Sequence, residues 1–251
     1  MSQLYDAIGR DYAAYRRPDR RVAAAIARAL GTAESVVNVG AGAGSYEPAD
    51  RPVVAVEPSA AMIRQRPADA AAVVQASAAD LPFGDGAFAA SLAVLTIHHW
   101  SDRARGLAEL VRVARDRVVV LTWDPTASGF WLVDDYFPEI LAIDRPNFPT
   151  LDELGASLGD VEVESVPIPH DCTDGFLGAY WRRPRAYLDA GVRGAISTFT
   201  KLRDPRSGLA RLERDLADGT WARRHGRVLE LEQLDLGYRI VVAHRRGRRA
   251  G

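Results

Sequence analysis

The first clear periodicity lies at Val22, Ile26 and Leu30, apolar positions at i, i+4 and i+8 among alanines. Pro18-Asp19 precedes this stretch and Gly31 follows it, which predicts a helix with Asp19 as N-cap and Gly31 as its stop. Two valine-rich runs come next, at 35–39 and 53–56, with Gly40, Gly42 and Gly44 between them. Short continuous runs of valine read as strands buried on both faces. Ser59 can cap a short helix through Arg66, and 72–76 reads as a third strand. The longest apolar run, 88–97, suits a central strand and ends at His98-His99-Trp100. Ser101 or Asp102 then opens a helix with Leu107, Leu110, Val111 and Ala114 on one face, and 118–123 is a fifth strand. Strands alternating with helices predict an α/β fold with a doubly wound, mostly parallel sheet.

One connection is unusual. Only the eight residues 45–52 separate Gly44 from the second strand, or thirteen counted from Gly40. Parallel strands need a crossover of about a dozen residues, helix included, so one or two helical turns at most fit here. After Asp124-Pro125 the periodicity breaks, and 130–148 holds aromatic clusters and prolines. Thr150-Leu151-Asp152-Glu153 is a capping box for a helix through Leu158, and 161–166 alternates as a strand. A long excursion follows, with helical stretches expected at 184–202 and 207–218, before a last strand at 238–243. The expectation is a single domain over 1–251, with a helical lead-in or flap at 1–31 and a helical cap at 167–220 inserted before the last strand.

Composition narrows the class. The chain has 251 residues, 47% hydrophobic and 26% charged, with net charge −1, so a sizeable core is available and no general affinity for nucleic acid is expected. A single cysteine, Cys172, excludes an intrachain disulfide and a cysteine-based zinc cluster. No apolar run approaches the roughly 20 residues of a membrane span, and no secretory h-region is visible at the N-terminus. A cytoplasmic protein, monomer or homodimer, is expected.

Chemistry concentrates at the glycine turn. Glycines at alternate positions let backbone approach a ligand closely. Glu57 ends the second strand, nineteen residues past Asn38, where a carboxylate can accept the hydroxyl protons of a ribose. Together these features point to a nucleoside ligand. A dinucleotide site wants G-x-G-x-x-G and a full helix whose N-terminus faces the pyrophosphate. Here the pattern is G-x-G-x-G and the helix is nearly missing. That favours a nucleoside without phosphates, S-adenosylmethionine, over NAD(P) and its oxidoreductase chemistry.

The stretches VVNVGAGAG, VVAVEPS, ASAADLPFGDGAF and LAVLTIHHW, in this order and spacing, resemble the class I S-adenosylmethionine-dependent methyltransferases of the ubiquinone/menaquinone-biosynthesis type, the type 11 group. The resemblance covers about 36–123. It implies a Rossmann-like sheet and in-line methyl transfer from S-adenosyl-L-methionine to a small-molecule acceptor. It also implies that Asn38, Gly40, Ala41, Gly42 and Gly44 face the methionine and ribose, that Glu57 and Pro58 meet the ribose, and that Ser77 and Ala78 hold the adenine. Leu95, Thr96 and the histidines after them then line the transfer site. The sequence departs from the family where aspartate usually stands, at Asn38, Ser77 and Ala89. Asn38 and Ser77 can still accept hydrogen bonds but forfeit a charge-assisted one, roughly 1.5–3 kcal/mol against about 1, so weaker cofactor binding is expected. A non-catalytic cofactor-binding protein is the alternative that these departures leave open.

The remaining candidates are acceptor-side. His98 and His99 sit where such sheets place ligands, and His99 is the preferred base should the acceptor need to lose a proton. The tyrosines Tyr5, Tyr12 and Tyr15, with Arg16 and Arg17, read either as amphipathic packing or as a flap that brings Tyr15 to the cofactor. His170, Tyr180 and Trp181 could wall an acceptor pocket, although aromatics at helical spacing also suit a core. No metal site is expected, because no element carries ligand spacing.

Overall fold

The computed structural model describes residues 15–245, so Tyr5, Tyr12 and the rest of 1–14 lie outside the described residues. Helix α1 (Arg20–Leu30) begins where the Asp19 side chain accepts the Arg21 N–H, and it ends at Gly31, which has φ 52°. Strands β1 (Val36–Val39) and β2 (Val53–Val56) follow, then a single turn α2 (Ala60–Ile63) capped by Ser59, and β3 (Ala72–Val74). Next come β4 (Phe88–Val94), α3 (Arg103–Val113) capped by Asp102, and β5 (Ala114–Trp123). The C-terminal half contains α4 (Glu139–Asp144), α5 (Leu151–Leu158) and β6 (Val161–Ser165). It continues through the short ribbon β7 (Ile168–Pro169) and the helices α6 (Ala190–Gly194), α7 (Arg206–Ala217) and α8 (Thr220–His225). It closes with β8 (Gln233–Leu234) and β9 (Tyr238–His244).

The seven-stranded sheet has the order β3-β2-β1-β4-β5-β9-β6. Strands β1 to β5 pair parallel, and β9 runs antiparallel to both neighbours, β5 and β6. The chain leaves β1 outward to β2 and β3 and returns to β4 on the other side, which opens a crevice at the carboxyl ends of β1 and β4.

Side chains alternate across the strands and divide the core in two. Val36, Ala90, Leu92, Val119 and Leu121 pack with Val22, Ile26 and Leu30 of α1 and with the aromatic excursion. Val37, Val39, Ala93, Val118 and Val120 pack on the other face with Leu107 and Leu110 of α3 and Leu154 of α5. Among the described residues no helix is long and apolar enough to cross a membrane.

Three expectations change. The β1–β2 connection holds no helix at all. Gly44 at φ 96° and Tyr46 at φ 63° are left-handed, which stops a helix from propagating. The loop is instead tied by an ion pair of 2.7 Å between the buried Arg66 and Glu47 side chains, and Glu47 also accepts the Ala71 N–H. The expected 184–202 helix is a series of short pieces, a 3₁₀ segment Pro184–Leu188, then α6, then a 3₁₀ turn Phe199–Lys201. Gly191 and Gly194 fall within α6 and keep it to five residues. The excursion also runs past 220, through α8 and a 3₁₀ segment Gly226–Glu230, before β9.

Candidate functional site

The carboxyl end of β1 turns sharply at Gly40, whose φ is 74° and where a Cβ would stand 2.1 Å from Thr96 Oγ1. Only glycine fits there. The turn then places the Gly42 N–H against Glu57 Oε2 at 2.8 Å, while the Ser59 N–H donates to Glu57 Oε1 at 2.8 Å. Glycine loop and acid are therefore one hydrogen-bonded unit, with the carboxylate fixed by backbone. Glu57 is 6% exposed; burial pushes its carboxyl up, opposed by those two N–H donors and by the Arg66 charge. A carboxylate held this way keeps lone pairs for further donors.

These groups line a cavity of about 300 Å³. Asn38, Gly40, Ala41 and Gly42 form its wall from β1 and the turn, Glu57 and Pro58 its wall from β2. Ser77 and Ala78 close another side, and Leu95, Thr96 and His99 line the end of β4. Gly44 supports the turn in its left-handed conformation and does not line the cavity. Leu95 itself is left-handed, at φ 49°. Non-glycine residues in this region cost of order 1–3 kcal/mol and cluster at functional sites.

The residues present fit a nucleoside. Asn38 is 1% exposed and its Oδ1 has no hydrogen-bond partner among the described residues, an orphaned acceptor in the wall of the cavity. Glu57 offers a fixed carboxylate beside it. The turn provides close backbone approach but no helix N-terminus, so a pyrophosphate would meet no helix dipole.

A second cavity of about 60 Å³ shares Arg16, Leu95 and His99 with the first. Its wall is mostly apolar, with Trp123, Phe148, Phe176, Leu177, Ile196 and Tyr238, and its polar groups include His98, Asp144 and Thr198. His98 faces this chamber and not the larger cavity, stacked on Phe148 with ring centroids 4.0 Å apart. Its imidazole is held well below 6.5, first by burial, then by the charges of His99, Lys201 and Arg16. His99 lines both cavities and is pushed down to about 3, first by burial and then by Lys201 and Arg16. It is neutral at physiological pH and a weak base.

The acceptor-side expectations require correction. Trp181 is fully buried, donates its Nε1–H to the Ile168 carbonyl, and accepts Trp131 Nε1–H at its own carbonyl. It belongs to the core of the excursion. Tyr180 lies under the Arg183 guanidinium at 4.8 Å and edge-on to Tyr187, outside both cavities. His170 sits at the β7–β8 ribbon, its Nε2 3.3 Å from Glu232, also outside both. Tyr15 packs over Gly175 and Gly191 and lines neither cavity. Its neighbour Arg16, not singled out in the sequence as a site residue, lines both and pairs with Asp174 at 2.6 Å. Asp174 also accepts the Tyr46 hydroxyl at 2.9 Å, and that oxygen takes the Asp19 N–H at 3.2 Å. No local signal marks partners so far apart in the chain. Asp144 was equally hidden, one of four acids in the aperiodic stretch 130–148.

Comparison with known proteins agrees with this geometry. The family model for a methyltransferase domain matches residues 37–122. A protein from Anabaena variabilis, described as a methyltransferase from an antibiotic biosynthesis pathway, is 35% identical with a TM-score of 0.83, over 91% of this chain and 98% of that one. A Thermotoga maritima protein described as a S-adenosylmethionine-dependent methyltransferase, possible histamine N-methyltransferase, shares the fold at TM-score 0.57 and 15% identity, over 97% of each chain. The geranyl diphosphate C-methyltransferase of Streptomyces coelicolor, solved with S-adenosylhomocysteine, gives 0.50 and 17%, over 90% of this chain and 77% of that one. No curated protein sequence matches. With its glycine turn, the buried acid that follows β2 and a relative similar over nearly its whole length, the chain belongs to the class I S-adenosylmethionine-dependent methyltransferases, type 11 group.

Proposed function

We propose that this methyltransferase acts on a small-molecule acceptor held in the smaller chamber beyond His99. The observation that carries this reading is the chamber itself, about 60 Å³, joined to the nucleoside cavity at Leu95, His99 and Arg16. Such a space is smaller than a ligand pocket and suits one part of a small molecule, the rest of which extends to the junction with the larger cavity. The Anabaena relative's description as part of an antibiotic biosynthesis pathway supports the same acceptor class.

In this reading Asn38, Gly40, Ala41 and Gly42 hold the methionine and ribose portions, and Glu57 with Pro58 receives the ribose hydroxyls. Ser77 and Ala78 border the base, and Leu95 and Thr96 border the reacting end. When bound, S-adenosylmethionine supplies a methyl group on a positively charged sulfur, open to in-line displacement. The protein's part is chiefly positioning, for which up to about 7–11 kcal/mol of barrier reduction is available. His99 orients the acceptor as a neutral imidazole able to give or take one hydrogen bond. Its depressed basicity suits an acceptor atom already carrying a free lone pair.

Turnover of a metabolite panel, read as S-adenosylhomocysteine released, tests the proposal. Release with a small molecule is expected. Calorimetry showing no S-adenosylhomocysteine binding at millimolar concentration would overturn the assigned cofactor roles.

A further inference from the structure

Asp144 ends helix α4 and is 1% exposed, yet it lines the smaller chamber. Its Oδ2 accepts the Thr198 hydroxyl at 2.8 Å. Its Oδ1 is buried and has no hydrogen-bond partner among the described residues. A carboxylate in an aromatic chamber with one oxygen unengaged is costly unless some donor meets it. Thr198 fixes the carboxylate plane, so the direction of the unengaged oxygen is set by the fold. The cationic side chain in the same wall, Arg16, is joined to Asp174 through its Nε–H at 2.6 Å. His98 is stacked on Phe148 and His99 stands at the junction with the nucleoside cavity. The chamber thus offers a largely apolar wall in which, among the described residues, one buried carboxylate oxygen is engaged by no donor.

We propose that Asp144 is the docking point for the methyl acceptor, a small and largely apolar molecule that presents one N–H or O–H donor to Asp144 Oδ1 while its reacting end lies at the junction beside Leu95 and His99. The proposal rests on the small-molecule reading above and adds the chemistry of the acceptor. Asp144 is a docking residue: it selects and orients, and no step of bond making is assigned to it. An acceptor lacking the donor leaves the carboxylate unpaired in the complex, which is how the chamber discriminates.

The test uses three one-ring probes: benzylamine and benzyl alcohol, which carry a donor, and toluene, which does not. Each is titrated by ligand-observed NMR into the full chain, with and without saturating S-adenosylhomocysteine. Asp144→Leu removes the acceptor oxygen at similar shape, and Asp144→Asn keeps the bond with Thr198 while removing the charge. Thermal unfolding confirms that both variants are folded. Benzylamine and benzyl alcohol are expected to bind about tenfold or more tightly than toluene to the native protein. Asp144→Leu should erase that preference, leaving toluene within about twofold of its native affinity, and Asp144→Asn should weaken benzylamine more than benzyl alcohol. An equal affinity for toluene, a preference that survives in Asp144→Leu, or no binding of any probe at millimolar concentration overturns the proposal. Failure of S-adenosylhomocysteine to bind overturns the cofactor reading instead, because the titrations without it still report on the chamber.

Discussion

At the scale of single residues, the site depends on atoms with no room to move. In Gly40→Ala the new methyl would overlap Thr96 Oγ1 at 2.1 Å and the residue would sit at φ 74°. Cofactor affinity is expected to fall about a hundredfold or more in calorimetry, since the backbone must shift where the ligand meets it. Glu57→Gln is the subtler test. Both carboxylate oxygens accept backbone N–H groups, from Gly42 and Ser59. An amide supplies one acceptor and opposes the other N–H with its own donors, so affinity should drop at least about tenfold with little change in shape. His99 makes a spectroscopic prediction. With its imidazole pushed down to about 3 by burial and by the Lys201 and Arg16 charges, its ring resonances should show no titration between about pH 5 and 8. A midpoint near 6.5 would restore it as an ordinary base.

At the scale of elements, the β1–β2 connection is held by the Glu47–Arg66 pair, with side chains 9% and 4% exposed. Arg66 also donates to the Ala71 carbonyl at 2.9 Å, and Glu47 accepts the Ala71 N–H at 3.1 Å. Removing one partner strands a buried charge, so Glu47→Ala is expected to cost about 3–5 kcal/mol in chemical denaturation. A loss below about 1 kcal/mol would mean that the loop is held by other contacts. This pair also shows what could be read in the sequence. Features specified within a few residues were legible: the Asp19, Ser59 and Asp102 caps, the Thr150–Glu153 capping box, and the turn between two valine strands. The glycine wall and Glu57 came with them, because strand ends carry their residues to a common edge. The smaller chamber was not legible. It is assembled from Arg16, Asp144, Thr198 and Tyr238, which approach only after the excursion folds back over the sheet. Aromatic residues in that excursion, such as Trp181, turned inward to form its core, where their N–H groups meet backbone carbonyls. Aromatic content alone could not tell wall from core.

For the whole molecule, Asp144 connects the smaller chamber to stability. Its carboxyl is pushed up to about 6, first by burial, with the Thr198 hydrogen bond and the Lys201 charge pulling the other way. The chamber wall also brings Arg16 and the neutral His98 and His99 to its surroundings. Because the folded value lies above the ordinary one of 3.8, the folded state holds this proton more tightly than the unfolded chain. The stabilisation is full below about pH 4 and fades as pH rises through about 6, on the order of 2–3 kcal/mol in all. The native protein without ligands should therefore lose stability across that window more steeply than Asp144→Asn, as followed by urea unfolding at a series of pH values. Identical slopes would show that the carboxyl ionises without penalty.

The placement of β9 between β5 and β6 has a consequence for synthesis on the ribosome. Among the described residues strand β6 pairs in the sheet only with β9, although about seventy residues separate the two in the chain. Strands β1 to β5, with the glycine turn and Glu57, can pair as soon as they emerge, whereas β6 and the excursion must wait for Tyr238–His244. Tyr238 also lines the smaller chamber. The nascent chain thus holds most of the wall of its larger cavity early and completes the smaller chamber last, and a translation arrest before residue 238 yields a sheet with β5 as an open edge.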